Sequence, residues 1–161
     1  MSIADLRRDY RARALDEHDV ASSPIVQFQA WLDEAMRSEL LDATAMTLAT
    51  ASADGQPAAR IVLLKGVSDA GFVFFTNYGS AKAAHLESNP RACLVVFWAE
   101  LERQVRITGT VSHAPDAESD AYFASRPLDS QIGAWASPQS QVIADRAVLE
   151  GRVADAQSRF A

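Results

Sequence analysis

The segment that most constrains the fold is a short apolar run with a cation at each end, Arg60-Ile61-Val62-Leu63-Leu64-Lys65. Its aliphatic and β-branched residues predict a β-strand that is buried on both faces. Burying an unpaired cation is costly, so we expect a bound anion to meet both ends of the strand. Strand alternation predicts that Arg60 and Lys65 point to opposite sides. The alternative is that both side chains simply reach water.

Bulk composition limits the classes of partner. At 161 residues the chain has the length of one domain, and we expect residues 1–161 to form it. The net charge of −6 gives no general attraction to nucleic acid or to an anionic membrane. A span of about 20 apolar residues and a secretion signal are both absent from the sequence. With Cys93 as the single cysteine, these features predict a cytoplasmic protein without nucleic-acid or membrane partners.

Hydrophobic periodicity predicts an α+β fold that is mainly β: a small antiparallel barrel with flanking helices. Asp54-Gly55 is typical of a hairpin turn, and Ser23-Pro24 is typical of a helix start. The predicted strands are 47–51, 57–65, 72–77, 91–99 and 103–113, within a barrel region at 45–113. An N-terminal arm or short helix is predicted within 1–22, followed by a helix from 24 and an inserted helix at 80–88. Residues 115–161 are predicted to form the C-terminal helices, at 116–125, at 129–135 and from 138.

Two predicted helix starts could bind an anion. Gly79-Ser80-Ala81-Lys82 ends a strand and opens a helix, where free N–H groups, the helix dipole and the Lys82 charge favour a phosphate. The alternative is a Ser80 cap with a solvated lysine. Gln139 and Ser140 follow Ser137-Pro138 at the expected start of the last helix, and they form the second such place.

Further polar clusters fit a phosphorylated heterocycle. Gln104 shares a strand face with Arg106, and its amide can both donate to and accept from a ring. Tyr122 and Arg126 are spaced i, i+4 with Ser130 just beyond, which suits a phosphomonoester. Each has a simpler alternative: a solvent-facing glutamine, or an arginine that ends a helix. The arm Arg7-Arg8-Asp9-Tyr10 could close over an anionic ligand or remain solvated.

Several catalytic signatures are absent from the sequence. It contains neither a Gly-x-Ser-x-Gly motif nor a phosphate-loop or dinucleotide glycine pattern. His18, His85 and His113 lack metal-ligand spacing, so we expect no metal site. No residue can be assigned as a general base or nucleophile from the sequence.

Taken together, these segments resemble the pyridoxine/pyridoxamine 5′-phosphate oxidase family of FMN-dependent split-barrel proteins, with a Greek-key-like antiparallel barrel. The resemblance extends over about residues 6–160. The matching motifs are Leu6-Arg7-Arg8-Asp9-Tyr10, Gly55-Gln56-Pro57, Arg60-Ile61-Val62-Leu63-Leu64-Lys65, Phe75-Thr76-Asn77-Tyr78-Gly79-Ser80, Leu101-Glu102-Arg103-Gln104-Val105, Tyr122-Phe123-Ala124-Ser125-Arg126-Pro127 and Asp129-Ser130-Gln131-Ile132-Gly133-Ala134-Trp135.

The resemblance implies FMN-dependent oxidation of pyridoxine or pyridoxamine 5′-phosphate to pyridoxal 5′-phosphate. Molecular oxygen would be the acceptor, with release of hydrogen peroxide and, from the amine, ammonia. It also implies a homodimer with sites between subunits. The implied FMN contacts are Arg60, Ile61, Val62, Leu63, Leu64, Lys65, Phe75, Thr76, Lys82, Gln104, Gln139 and Ser140. The implied substrate contacts are Lys65, Tyr122, Arg126 and Ser130, with Arg7, Arg8, Asp9 and Tyr10 closing over them.

Two departures from the family pattern leave other functions open. Ala81 stands where the family usually has an arginine, which removes a phosphate contact worth about 1–3 kcal/mol. Family members also continue for several dozen residues, with further flavin and substrate contacts, beyond the last residue of this sequence. The alternatives to an oxidase are therefore a non-catalytic module that binds flavin or pyridoxal phosphate, and a flavin reductase.

Overall fold

The computed structural model describes residues 2–5, 14–38 and 40–160, and within them six strands, five α-helices and two short 3₁₀ helices. The strands are β1 (Ala45–Ala51), β2 (Pro57–Leu63), β3 (Gly66–Ser68), β4 (Gly71–Val73), β5 (Arg91–Trp98) and β6 (Arg103–Thr110). The α-helices are α1 (Pro24–Arg37), α2 (Ala81–Ser88), α3 (Asp116–Ser125), α4 (Leu128–Ala136) and α5 (Arg146–Phe160), and the 3₁₀ helices are Ile3–Asp5 and Ala99–Leu101.

All strand pairs are antiparallel. Four strands form one sheet in the order β2-β1-β5-β6, and β3 pairs with β4 in a second, two-stranded sheet. Gly55, at the β1–β2 turn, has a φ of 88°, a left-handed conformation that glycine adopts without a steric penalty. Thr47 lies at the centre of the large sheet, opposite Ile61 on one side and Val95 on the other.

The hydrophobic core lies against one face of the large sheet. Met46 and Leu48 of β1 are buried on this face, as is Trp98 of β5. Phe28 of α1 packs edge-to-face on Phe72 at a centroid distance of 4.9 Å, and the Trp98 indole donates to the Ala43 carbonyl at 2.9 Å. Helix α1 therefore connects the two sheets, because its Phe28 ring also lies 5.9 Å from the Trp98 ring.

The prediction that the strand at 60–65 is buried on both faces was wrong. Val62 and Leu64 are buried, but Ile61 and Leu63 are 63% and 40% exposed. The physical reason is that β2 belongs to an antiparallel sheet with only one face packed on the core, and the interior strand β5 exposes Phe97 on the same outer face.

The predicted continuous strand at 57–65 is also interrupted. The Leu64 amide donates to the Thr44 carbonyl at 2.9 Å, whereas the Lys65 amide donates to the Val73 carbonyl at 2.8 Å. The backbone thus passes from one sheet to the other between these two residues, which places Lys65 at the junction. The strand predicted at 72–77 is shorter for the same reason, since pairing with β3 ends at Val73 and residues 74–77 are irregular.

Helix prediction succeeded at α1, α2, α3 and α4, and the predicted last helix is present but does not begin at 138. Ser23 caps α1, accepting from the Val26 amide as predicted. Ser137-Pro138 has the same pattern, but Ser137 closes α4 instead, with its amide bonded to the Gly133 carbonyl at 3.0 Å. The last helix begins at Arg146, where the Asp145 carboxylate accepts from the Val148 amide at 3.0 Å.

The fold class predicted from the sequence, an antiparallel β architecture with flanking helices, is confirmed. Within the described part of the chain, every helix is too short or too polar to cross a bilayer.

Candidate functional site

The start of α2 gathers polar groups from two distant segments. The Ser80 side chain, 1% exposed, caps the helix by accepting from the Ala83 amide. The Lys82 ammonium donates to the Ser80 hydroxyl at 3.2 Å and to the Gln139 side-chain oxygen at 2.5 Å. Because the first amides of a helix lack intrahelical partners, this end can offer N–H groups together with a full positive charge. The structure therefore brings together Lys82 and Gln139, both predicted flavin contacts.

Arg60 reaches toward the same place from β2. Its guanidinium donates to the Leu48 carbonyl at 2.9 Å and to the Thr50 hydroxyl at 2.8 Å. Burial lowers the pKa of Arg60 below its ordinary value. Burial also lowers the pKa of Lys82, and the positive charge of Arg60 lowers it further. Two like charges held close together and partly out of water favour a bound anion, which would relieve their repulsion.

Thr76 supplies the clearest sign of a binding site. Its hydroxyl oxygen is buried and has no hydrogen-bond partner among the described residues. Most buried polar groups in proteins are hydrogen-bonded, and one without a protein partner often bonds an ion, a water or a ligand. A turn closed by the Ser80 amide and the Asn77 carbonyl, at 3.0 Å, separates Thr76 from the start of α2.

A second cluster combines aromatic rings with a cation. The Phe75 and Tyr122 rings stack with centroids 3.9 Å apart and planes 8° from parallel. The Lys65 ammonium lies 5.8 Å from the centroid of the Tyr122 ring, within the range of a cation–π contact. This cluster therefore places a positive charge beside two stacked aromatic rings. It joins Lys65, Phe75 and Tyr122, the first and last of which are 57 residues apart in the sequence.

Arg126 and Ser130 lie at the α3–α4 junction. Arg126 is the C-cap residue of α3, which ends at Ser125, and its backbone turns to an extended ψ of 150° before Pro127. The Arg126 guanidinium lies 6.0 Å from the centroid of the Phe123 ring. Ser130 is half-buried in the first turn of α4, with its amide bonded to the Pro127 carbonyl at 2.9 Å.

Other predicted contacts lie apart from these clusters. Gln104 and Arg106 share an exposed face of β6, as predicted, but this is the outer face of the sheet. Arg60 is on the inner face, in register with the buried Leu48. Ser140 is not at a helix N-terminus; it has a φ of 66° in a turn closed by the Gln141 amide and the Pro138 carbonyl. Residues 7–10, the predicted arm, lie outside the described residues.

Sequence reasoning missed Thr50 and His85 as parts of this site. The Thr50 hydroxyl lies 3.1 Å from the His85 Nδ1 and accepts from Arg60. The available signal was a hydroxyl at an inward position of β1, in alternation with the apolar Met46 and Leu48.

Comparison with known families agrees with this geometry. The family model described as pyridoxamine 5′-phosphate oxidase matches residues 32–160, which is most of the chain. The chain belongs to this family. The match includes both clusters, from Arg60 and Lys65 through Gln139, so the predicted family membership is confirmed.

Curated relatives and solved structures extend the comparison. A pyridoxine/pyridoxamine 5′-phosphate oxidase from Cupriavidus metallidurans is 59% identical over 98% of this chain and 74% of the relative. One from Thermosynechococcus vestitus is 59% identical over 98% of this chain and 75% of the relative.

Among solved structures, PhzG from Burkholderia lata, in complex with tetrahydrophenazine-1-carboxylic acid, is similar with a TM-score of 0.84. It is 27% identical, and the match covers 92% of this chain and 74% of that one. A pyridoxamine 5′-phosphate oxidase-related, FMN-binding protein from Nostoc punctiforme shares the fold with a TM-score of 0.62 at 22% identity, over 81% of this chain and 73% of that one. Both likenesses agree with the split-barrel fold that the sequence predicted.

Proposed function

We propose that this protein is an FMN-dependent oxidase that converts pyridoxine or pyridoxamine 5′-phosphate to pyridoxal 5′-phosphate, with oxygen as the acceptor. The observation that carries the proposal is the unpartnered, buried Thr76 hydroxyl, which lies one turn before the start of α2. Two partly desolvated cations, Arg60 and Lys82, support it. The 59% identity to curated oxidases of that name supports the same substrates. It favours them over the phenazine precursor bound to PhzG, to which the chain is 27% identical.

The first cluster fits the flavin phosphate. Thr76, Lys82 and Arg60 would bind its oxygens together with the first amides of α2, since charge-assisted hydrogen bonds to phosphate are strong. The backbone of residues 61–65 and the Phe75 ring would contact the flavin ring, and Gln139 would hold Lys82 in place. When bound, FMN supplies the two-electron acceptor that the protein's own side chains lack.

The second cluster fits the vitamer. Lys65, Arg126 and Ser130 would bind the substrate phosphate, and Tyr122 would orient the pyridine ring. These residues position the substrate and exclude water, and positioning of this kind lowers the entropic part of the barrier. Residues 7–10 would close over the bound vitamer.

We infer that the active protein is a cytoplasmic homodimer formed through the outer face of the large sheet. This face exposes Ile61, Leu63 and Phe97, the last of which is 59% exposed. Gln104, opposite Phe97 in the β5–β6 register, lies on the same face and away from the Arg60 side chain of its own chain. A second copy packed there would bury the apolar residues and bring Gln104 to the flavin of the partner.

One experiment separates the three functions that the sequence leaves open. The purified full chain is incubated with FMN and pyridoxine 5′-phosphate under air, and peroxide and pyridoxal phosphate are measured. We expect equal amounts of the two products. Bound flavin without turnover would instead identify a binding module, and turnover only with a nicotinamide donor would identify a flavin reductase. Unphosphorylated pyridoxine is the matched control. It should react far more slowly, because it has no phosphate for Lys65 and Arg126 to bind.

A further inference from the structure

Three side chains from three elements form a hydrogen-bonded chain beneath the proposed flavin phosphate site. Arg60 of β2 donates to the Thr50 hydroxyl of β1 at 2.8 Å. The same hydroxyl lies 3.1 Å from Nδ1 of His85, on α2. Thr50 is 5% exposed, one of the few buried polar residues of the described core.

The chemistry of the donors and acceptors fixes the first bond of this chain. A guanidinium can only donate, so the Thr50 oxygen accepts from Arg60. The Thr50 hydroxyl keeps one proton and one further lone pair, so it can pair with Nδ1 of His85 in either tautomer of the imidazole. The Thr50 hydroxyl is therefore bonded on both sides, and this holds the three side chains in a defined arrangement.

The chain connects the two elements that carry the cations. His85 lies three residues after Lys82 on α2, so the two side chains are neighbours on the helix surface. Arg60 lies on β2, the strand that pairs with β1, which carries Thr50. Thr50 is therefore the residue through which the position of Arg60 is tied to the helix that presents Lys82.

We propose that Thr50 is a positioning residue for the flavin phosphate, which fixes the Arg60 guanidinium against α2 through His85. The inference rests on the proposed function, since it takes the phosphate of FMN as the anion. Thr50 itself does not touch the ligand. Its loss should therefore weaken phosphate recognition and leave recognition of the flavin ring intact.

Thr50→Val tests this directly, because valine keeps the shape of threonine and removes the hydroxyl. Dissociation constants for FMN and for riboflavin, which lacks the phosphate, are measured by quenching of flavin fluorescence. We expect FMN binding to weaken about tenfold, as for loss of one charge-assisted contact. Riboflavin binding should change less than twofold. Thr50→Ser should restore FMN affinity. Thr44→Val, which removes a hydroxyl that donates to the Asp42 carboxylate, is the matched control.

A double-mutant cycle shows whether Thr50 acts through Arg60. In an Arg60→Ala background, Thr50→Val should cause no further loss of FMN affinity, because the group it positions is gone. Additive losses would overturn the inference, and so would equal weakening of FMN and riboflavin. If Thr50→Val lowers the melting temperature too far for titration, Thr50→Ala is used with the same expected selectivity.

The outcomes also separate this inference from the function on which it rests. Wild-type protein that takes up no FMN would overturn the proposed function and the role of Thr50 with it. Wild-type protein that binds FMN, with unchanged affinity in Thr50→Val, would overturn the role of Thr50 alone.

Discussion

Lys65 and Lys82 are the only lysines in the chain, and the structure places both in the proposed site. Each is held by a different environment. Lys82 donates to two side-chain oxygens, whereas Lys65 lies against an aromatic ring. Among these contacts neither lysine is paired with a carboxylate. The proposed site therefore combines two positive charges that an anion could balance.

The titration of Lys82 is a direct prediction. In the free protein its pKa is lowered from 10.5, first by burial and then by Arg60. The unfolded chain therefore keeps the Lys82 proton to a higher pH than the folded chain does. At lower pH the charged Lys82 destabilises the folded protein, and this destabilisation is lost as the pH rises through the lowered pKa. Bound FMN should reverse the shift, because a phosphate favours the ammonium form.

Reductive methylation with isotope-labelled formaldehyde allows this titration to be followed by NMR. The chain should give two lysine resonances beside that of the N-terminal amine, assigned with Lys65→Arg and Lys82→Arg. We expect the Lys82 signal to titrate below the ordinary lysine range, and its pKa to rise when FMN binds. A Lys82 signal that does not respond to FMN would place the phosphate elsewhere.

Arg126→Ala tests the assignment of the second cluster. We expect the dissociation constant for pyridoxine 5′-phosphate to rise about 10- to 100-fold, since one charge-assisted contact to phosphate is lost. The flavin absorbance of the purified protein should not change. Arg152→Ala, an exposed arginine of α5, is the control and should affect neither ligand. Loss of flavin from Arg126→Ala would mean that Arg126 serves the cofactor.

At the element scale, two serine–proline pairs show how far local sequence predicts structure. Ser23-Pro24 opens α1, as its pattern indicates, because the preceding residues leave the Ser23 side chain free to accept from Val26. Ser137-Pro138 comes directly after α4, so the Ser137 amide is already used to close that helix. The same dipeptide thus has two outcomes, and which one occurs depends on the element before it.

The shape of β2 depended on tertiary context that the sequence does not reveal. Alternation correctly placed Val62 and Leu64 on one side, but only the packing of the sheet shows that its outer face is uncovered and that Ile61 is exposed. Local motifs predicted the grouping of Lys82 with a helix start. The meeting of Lys82 with Gln139, and of Phe75 with Tyr122, depends on long-range packing.

Ser80 is expected to contribute to stability as well as to the site. Ser80→Ala removes the cap of α2, and we expect the free energy of unfolding in urea to fall by about 1 kcal/mol. Ser88→Ala, at the exposed end of the same helix, should cost less than about 0.5 kcal/mol. An equal loss of unfolding free energy in the two variants would show that the Ser80 cap does not stabilise α2 more than an exposed serine does.

At the scale of the whole molecule, the exposed outer face of the sheet predicts self-association. Phe97→Asp places a charge in the centre of the proposed dimer interface, and we expect light scattering to show a monomer. Val142→Asp changes an equally apolar but fully exposed position outside the sheet and should leave the dimer intact. A wild-type holoprotein that is active as a monomer would contradict the proposed interface.

We propose above all that this chain binds a flavin by its phosphate between β2 and the start of α2. Equilibrium dialysis of the folded full chain against excess FMN, followed by the flavin absorbance retained per chain, measures this binding directly. We expect one FMN per chain in the wild-type protein and markedly less in Lys82→Ala. A well-folded wild-type protein that retains no flavin would rule out this site.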